Sequence, residues 1–144
     1  MCYKAVMDEL VRFSVSLPRQ LLEKFDHLLQ EKNYGSRSEA LRDLIRSQLL
    51  EETWDNSRLA CGVITLVYNH HKRNLMEKLT EVQHDSGNII LSSTHIHIDH
   101  DHCLEVIIVK GDSKEIKRLA DTLISIKGVL YGALNKAPTG KEFI

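Results

Sequence analysis

The sequence predicts an α+β protein of two modules, a strand-helix-helix unit followed by a βαββαβ sandwich. Three observations predict it. Residues 11–17 alternate apolar and polar side chains and lead into two stretches with apolar residues at helical spacing. Residues 61–68 (CGVITLVY) are almost continuously apolar, as expected of a strand covered on at least one face. Beyond them, strand-like and helix-like runs follow in the order β-α-β-β-α-β. The expected boundaries are 1–52 for the first module with a short N-terminal arm, 53–59 for a linker and 60–144 for the second module.

The first strand places Val11, Phe13, Val15 and Leu17 on one face and Arg12, Ser14 and Ser16 on the other. Pro18 ends it and suits the first turn of a helix. Leu21, Leu22, Phe25, Leu28 and Leu29 then keep helical spacing to about Asn33, and Tyr34-Gly35 is expected to end the helix with glycine in the left-handed cap conformation. Ser36 with Glu39 three residues on is a capping box opening a second helix. Leu41, Leu44, Ile45 and Leu49 are its expected buried stripe. It fades near Glu51-Glu52, and 53–58 reads as a linker or a helix extension.

One strand and two helices cannot enclose a core of their own, and a lone strand has two unpaired edges. The economical repair is a homodimer whose two strands pair antiparallel. Such a ribbon would present Arg12, Ser14 and Ser16 twice on its outer face, and a ribbon of that width fits the DNA major groove.

In the second module the apolar strand 61–68 is followed by a helix over 71–83 with Leu75, Leu79 and Val82 inward. Strands over 88–98 and 103–109 flank the polar turn Asp99-His100-Asp101-His102. Asp112 opens a helix with Ile116, Leu119, Ala120 and Leu123 as its core face, Gly128 ends it, and 129–134 is the fourth strand. Four strands with two helices on one face make a ferredoxin-like sandwich.

Composition narrows the function classes. The chain has 144 residues, 42% hydrophobic and 27% charged, as in an ordinary globular protein. A net charge of −1 gives no overall basic signature, so nucleic-acid binding would have to come from local placement. Three cysteines without CxxC spacing argue against a disulfide framework and for a reducing, cytoplasmic setting. No run approaches the length of a membrane span. Of eight histidines, five fall between His84 and His102.

That enrichment carries the chemistry. On a strand, His95 and His97 share a face while Ile96 and Ile98 are expected to point into the core. A hairpin centred near His100 sets residue 97 opposite residue 103, so His95, His97 and Cys103 converge on one side of the sheet. Two imidazoles and a thiolate suit a borderline first-row ion such as Ni²⁺, Cu²⁺, Zn²⁺ or Co²⁺. His84 is the nearest further donor, supplied most easily by a neighbouring subunit. His100 and His102 read as turn residues or weak secondary ligands, His27, His70 and His71 as surface residues, and Cys61 as a core thiol. On the DNA side, the N-terminus of the second helix could seat a phosphate with Arg37 and Arg42 nearby. Between Arg12 and Leu50, seven Lys/Arg stand against five Asp/Glu.

At these residues the chain resembles the nickel-responsive transcriptional regulators. The resemblance spans 12–137 and is carried by NYGSRSEALRDLIR (33–46) and HIHIDHDHCLEV (95–106), with His84 upstream at the matching distance. It implies a ribbon-helix-helix DNA-binding domain, an ACT-type metal-binding and tetramerisation domain, and a homotetramer built as a dimer of dimers. It implies one Ni²⁺ per subunit, held in a square plane by His95, His97 and Cys103 with His84 of another subunit. Arg12, Ser14 and Ser16 fall on base-reading positions, and Glu39 and Asp43 on a weaker cation site. The implied function is repression of nickel uptake genes at double-stranded operator DNA, in the cytoplasm, with no catalysis and no membrane. The N-terminal arm, with Lys4, Asp8 and Glu9, is longer than in the shortest members. Two rival readings are a repressor whose ACT domain senses a small molecule such as an amino acid, and a metal-dependent hydrolase or metal-storage protein using Glu105 as a base.

Overall fold

The structure is a computed structural model that describes residues 10–139; the N-terminal arm with Lys4, Asp8 and Glu9 lies outside them. The chain divides into two compact units between Leu44 and Ile45.

In the first unit, residues 11–17 form no strand within the single chain. Val11, Phe13 and Val15 are 80%, 71% and 57% exposed. The alternation is present, but a ladder needs a second strand, and this unit supplies none among its described residues. α1 (Arg19–Glu31) starts directly after Pro18, whose carbonyl accepts from Leu21 N and Leu22 N at 3.0 Å each. Its end differs from expectation: the left-handed residue is Asn33 (φ 54°) rather than Gly35. Asparagine tolerates that region, and the turn closes through Tyr34 N donating to Leu29 O at 3.0 Å.

α2 (Arg37–Asp55) opens on the expected capping box. Ser36 Oγ accepts from Glu39 N at 3.2 Å, and Glu39 Oε2 reaches back to accept from Gly35 N at 3.1 Å. Its apolar stripe is not buried in the single chain. Ala40 is enclosed, but Leu44, Ile45 and Leu49 are each about half exposed. Two helices and an extended segment leave these side chains uncovered, as the shortage of core predicts.

The second unit is the four-stranded antiparallel sandwich. β1 (Ala60–Asn69), α3 (Leu75–Asp85), β2 (Ile90–His97), β3 (His102–Gly111), α4 (Ser113–Ser125) and β4 (Val129–Ala137) follow in order, with the strands arranged β2-β3-β1-β4. α4 is N-capped by Asp112, which accepts from Lys114 N at 2.9 Å. Gly128, at φ 117°, turns the chain into β4 in a conformation that a side chain resists.

Alternation along β1 buries Ile64, Leu66 and Tyr68, and along β3 Cys103, Ile107 and Val109. These pack with Leu75 and Leu79 of α3 and with Ile116, Leu119, Ala120 and Leu123 of α4 into one core. Register puts Tyr68 opposite Cys103, and Cys103 opposite His97. Cys103, His97 and His95 therefore lie on the helix-bearing side of the sheet. Ile96 and Ile98 were expected in the core, yet both are 55% exposed. β2 is an edge strand, and Ile96, opposite Leu104, alternates onto the face away from the helices.

The stretch after Glu52 contains the last turn of α2. Trp54 is buried in the sandwich core and donates from Nε1 to Cys61 O at 2.6 Å. Asp55 Oδ1 lies 2.8 Å from both Lys117 Nζ and Lys136 Nζ, and Lys136 also reaches Glu51 at 3.0 Å. The periodless look of 53–58 comes from residues that anchor by ion pairs and one indole rather than by an apolar stripe. No helix among the described residues is long and apolar enough to cross a membrane.

Candidate metal centre

The chemistry-bearing side chains gather where β2, β3 and the end of β1 meet. Cys103 sits at the start of β3, 1% exposed, and His97 closes β2 opposite it. Their donor atoms are 3.3 Å apart, Sγ to Nδ1. On the other side of the thiol, His70 Nδ1 lies 3.4 Å from Sγ. Donors bound to one ion at about 2.0–2.3 Å stand roughly 3–3.7 Å apart, so the thiol already has ligand spacing to each imidazole, and all three donors lie within 4.8 Å of one another. One soft thiolate and two imidazoles are the donor set that late first-row ions prefer.

The sequence reads His70 as a surface residue; the structure brings it against the thiol. Its signal was available. β1 runs antiparallel to β3 with Asn69 opposite His102, so the residue after β1 emerges beside the start of β3. His95 stands next in line, its ring centroid 5.8 Å from that of His97. Neither His95 nor His84 joins a three-donor cluster among the described residues. His84, on the last turn of α3, is exposed and has Asp85 as its near neighbour at 3.9 Å.

Below the thiol lies a buried carboxylate. Glu105, 6% exposed, accepts from Tyr68 Oη at 2.9 Å, from Gln83 Nε2 at 2.9 Å and from Ser93 Oγ at 2.7 Å. Its oxygens thus accept from three elements at once, which ties the carboxylate into the interior beside Cys103. Burial, then the charges of Glu105 and Asp99, push the Cys103 thiol above its ordinary value. Burial holds the His70 imidazole below its own, with the neighbouring rings adding to the effect. A neutral imidazole is the ligating form, so that shift favours ligation.

The turn between β2 and β3 is built on Asp99. Its Oδ1 accepts from Asp101 N and His102 N at 2.8 Å each and meets His102 Nδ1 at 2.9 Å. Pairing with His102, followed by the two backbone donors, lowers the Asp99 carboxyl to about 2. His102 is therefore committed to the turn.

In the first unit, Arg12, Ser14 and Ser16 are exposed on the extended segment before α1. Arg42 is exposed on α2. Arg37 makes a two-pronged pair with Asp26, Nε and Nη2 each donating at 2.7 Å, which lowers the Asp26 carboxyl and fixes the guanidinium at the N-terminus of α2. Glu39 is engaged by the Gly35 amide. Burial raises the Tyr34 hydroxyl, and Asp43 and Glu39 raise it further, so the two carboxylates share its surroundings. They form no three-donor cluster among the described residues.

Comparison with known proteins places each half of the chain. The family described as "Ribbon-helix-helix protein, copG family" matches residues 11–52, and that described as "NikR C terminal nickel binding domain" matches residues 61–137. A protein of Solidesulfovibrio magneticus is 49% identical over 139 residues, covering 96% of this chain and all of its own length. Proteins of Geobacter metallireducens and Solibacter usitatus are each 50% identical over 137 residues, covering 94% of this chain and 99% of their own. All three carry the name "Putative nickel-responsive regulator".

Proposed function

The chain belongs to the nickel-responsive regulator family, and from that premise we propose that it is a nickel-dependent transcriptional repressor that holds operator DNA with a two-stranded ribbon. The observation that carries the metal half of this reading is the Cys103–His97 pair, set 3.3 Å apart by strand register. The observation that carries the DNA half is the exposed apolar face of residues 11–17 with Arg12, Ser14 and Ser16 alternating against it.

Pairing two copies of that segment covers Val11, Phe13 and Val15 and doubles the polar triplet. Doubling matters because a net charge of −1 cannot hold DNA by bulk attraction. Arg37, braced by Asp26, and Arg42 flank the N-terminus of α2, where amides suit a phosphate.

In the sensing half, Cys103, His97 and His95 of one subunit would hold one Ni²⁺ with His84 of a neighbouring copy, in a tetramer assembled as a dimer of dimers. Exposure of both His95 and His84 supports a set completed across subunits. Bound there, the ion would supply a link between the donors; the chain supplies Cys103, His97 and His95 with the buried Glu105 bracket beneath them. The ion can shift DNA affinity only by binding the DNA-competent arrangement more tightly than the other. The targets follow from the sensed ion as nickel uptake genes, read in the cytoplasm. The reading is of a regulator and not of an enzyme, in keeping with the two matching families and the named relatives.

The test is operator binding measured with and without Ni²⁺. The expected result is tighter binding with the ion. Cys103→Ala and His97→Ala should each weaken nickel binding by at least about 100-fold and abolish the response, with an unchanged circular dichroism spectrum. Equal DNA affinity in both metal states would overturn the sensor.

A further inference from the structure

The division between the two units falls inside one helix. α2 contains neither glycine nor proline, the residues at which helices usually kink. Its first turns carry Arg37 and Arg42, and the part from Ile45 onward belongs to the second unit. A helix of 19 residues is a rod about 28 Å long, so a tilt of about 10° at one end moves the other by about 5 Å.

Three elements of the sandwich hold the last turn of α2. Trp54 is enclosed and donates from Nε1 to Cys61 O of β1 at 2.6 Å. Asp55 Oδ1 meets Lys117 Nζ of α4 and Lys136 Nζ of β4 at 2.8 Å each. The backbone carbonyl of Asp55 accepts from Ser113 Oγ at 2.9 Å, and Ser113 is buried at the start of α4. That bond satisfies a carbonyl that a helix end otherwise leaves open. Lys136 also pairs with Glu51 one turn earlier, and its ammonium lies 5.5 Å from the centre of the Trp54 ring. The Asp55 and Lys136 side chains are 34% and 24% exposed, so salt screens this pair less than one in open solvent. β1 runs from the indole's acceptor to Tyr68, which stands opposite Cys103.

We propose that Trp54, Asp55, Lys117 and Lys136 are positioning residues that lock the end of α2 to the sandwich, so that a change of arrangement in the sandwich reaches the phosphate-seating N-terminus of the same helix. The inference rests on the repressor reading. Coupling between two sites needs an element that both can bias, and α2 is the element common to both units. A single contact would leave the helix free to swivel. An indole bond, two ion pairs and a carbonyl bond to separate elements remove that freedom.

The experiment measures operator affinity of the full chain with and without Ni²⁺, alongside nickel binding followed by thiolate-to-nickel charge-transfer absorption. In Lys136→Met and Asp55→Asn the absorption should be unchanged, while the ratio of the two DNA affinities falls at least about fivefold. Lys136→Met keeps an unbranched stem over the indole, and Lys136→Arg, which keeps the charge, should respond like the wild type. Lys117→Met, at a side chain 40% exposed on α4, should lower the ratio in the same direction and guards against a folding defect in the other two. An unchanged ratio in Lys136→Met and Asp55→Asn, with the wild type still responding, would overturn the lock alone. Loss of the absorption in either variant would assign these residues to the metal centre and overturn it too. Equal wild-type affinities in both metal states would remove the repressor reading and the lock together.

Discussion

Glu105 is the residue on which the sensing unit's polar interior turns. A carboxylate buried to 6% exposure survives because Tyr68 of β1, Gln83 of α3 and Ser93 of β2 all donate to it. An orphaned buried donor costs about 1–3 kcal/mol, whereas a made hydrogen bond contributes about 1. Glu105→Ala should therefore cost about 3 kcal/mol of unfolding free energy, most of it at the fully enclosed Tyr68 hydroxyl, while Tyr68→Phe should cost about 1. Urea denaturation of both variants checks this, and an unchanged midpoint for Glu105→Ala would show the bracket to be dispensable. Gln83 precedes His84 directly, so loosening the bracket should also loosen the helix turn that carries this proposed cross-subunit donor. Strand alternation puts Glu105 on the face of Cys103, which is what makes it a candidate base in the sequence. Alternation gives the face but not the three donors, which come from elements far apart in the chain.

At the scale of elements, the legible features were those governed by local rules. The capping box at Ser36 and Glu39, the Asp112 cap, the core faces of α3 and α4, and the pairing of His97 with Cys103 all follow from period and turn chemistry. What was not legible depended on position in the sheet. Ile96 and Ile98 have the side chains of a buried strand, but β2 lies at the edge, and edge status is decided by strand order. His70 looked like surface because its partner thiol is 33 residues away. The end of α2 hid in the same manner, since its anchor is electrostatic. Lys117 and Lys136 hold the Asp55 carboxyl below its ordinary value of 3.8. A depressed carboxylate contributes stability that is present above its unfolded pKa and lost as pH falls through the folded one. The unfolded chain takes up the proton first, so acid destabilises this anchor below about pH 4. Asp55→Asn should cost about 1 kcal/mol at neutral pH, given a partly exposed site, and flatten the acid limb of stability against pH. Parallel acid limbs in variant and wild type would assign the anchoring to Trp54 alone.

At the scale of the whole molecule, the first unit is incomplete as one chain, and its incompleteness is specific. Val11, Phe13 and Val15 are open on one side of an extended segment, and Leu44, where the unit ends, is half exposed on α2. Scattered apolar exposure needs no explanation, but an alternating row beside an unpaired backbone edge is the pattern that strand addition uses up. A second copy would satisfy the edge by hydrogen bonding and the row by burial, and such a doubled ribbon would set two Arg-Ser-Ser faces side by side. In the proposed reading the assembly and the DNA contact are thus one requirement, distinct from the proposed metal donors near the β2–β3 turn. Phe13→Asp separates them. A charge buried at the ribbon interface without a partner costs several kcal/mol, so dimerisation should weaken by at least about 100-fold. Sedimentation equilibrium should show smaller species, and operator binding should be lost even at saturating Ni²⁺. Nickel ligands drawn from one subunit should still bind, leaving the thiolate-to-nickel absorption visible though altered. If Phe13→Asp keeps both its assembly and its grip on DNA, the extended segment is a surface tail, and the chain must read DNA with some other element.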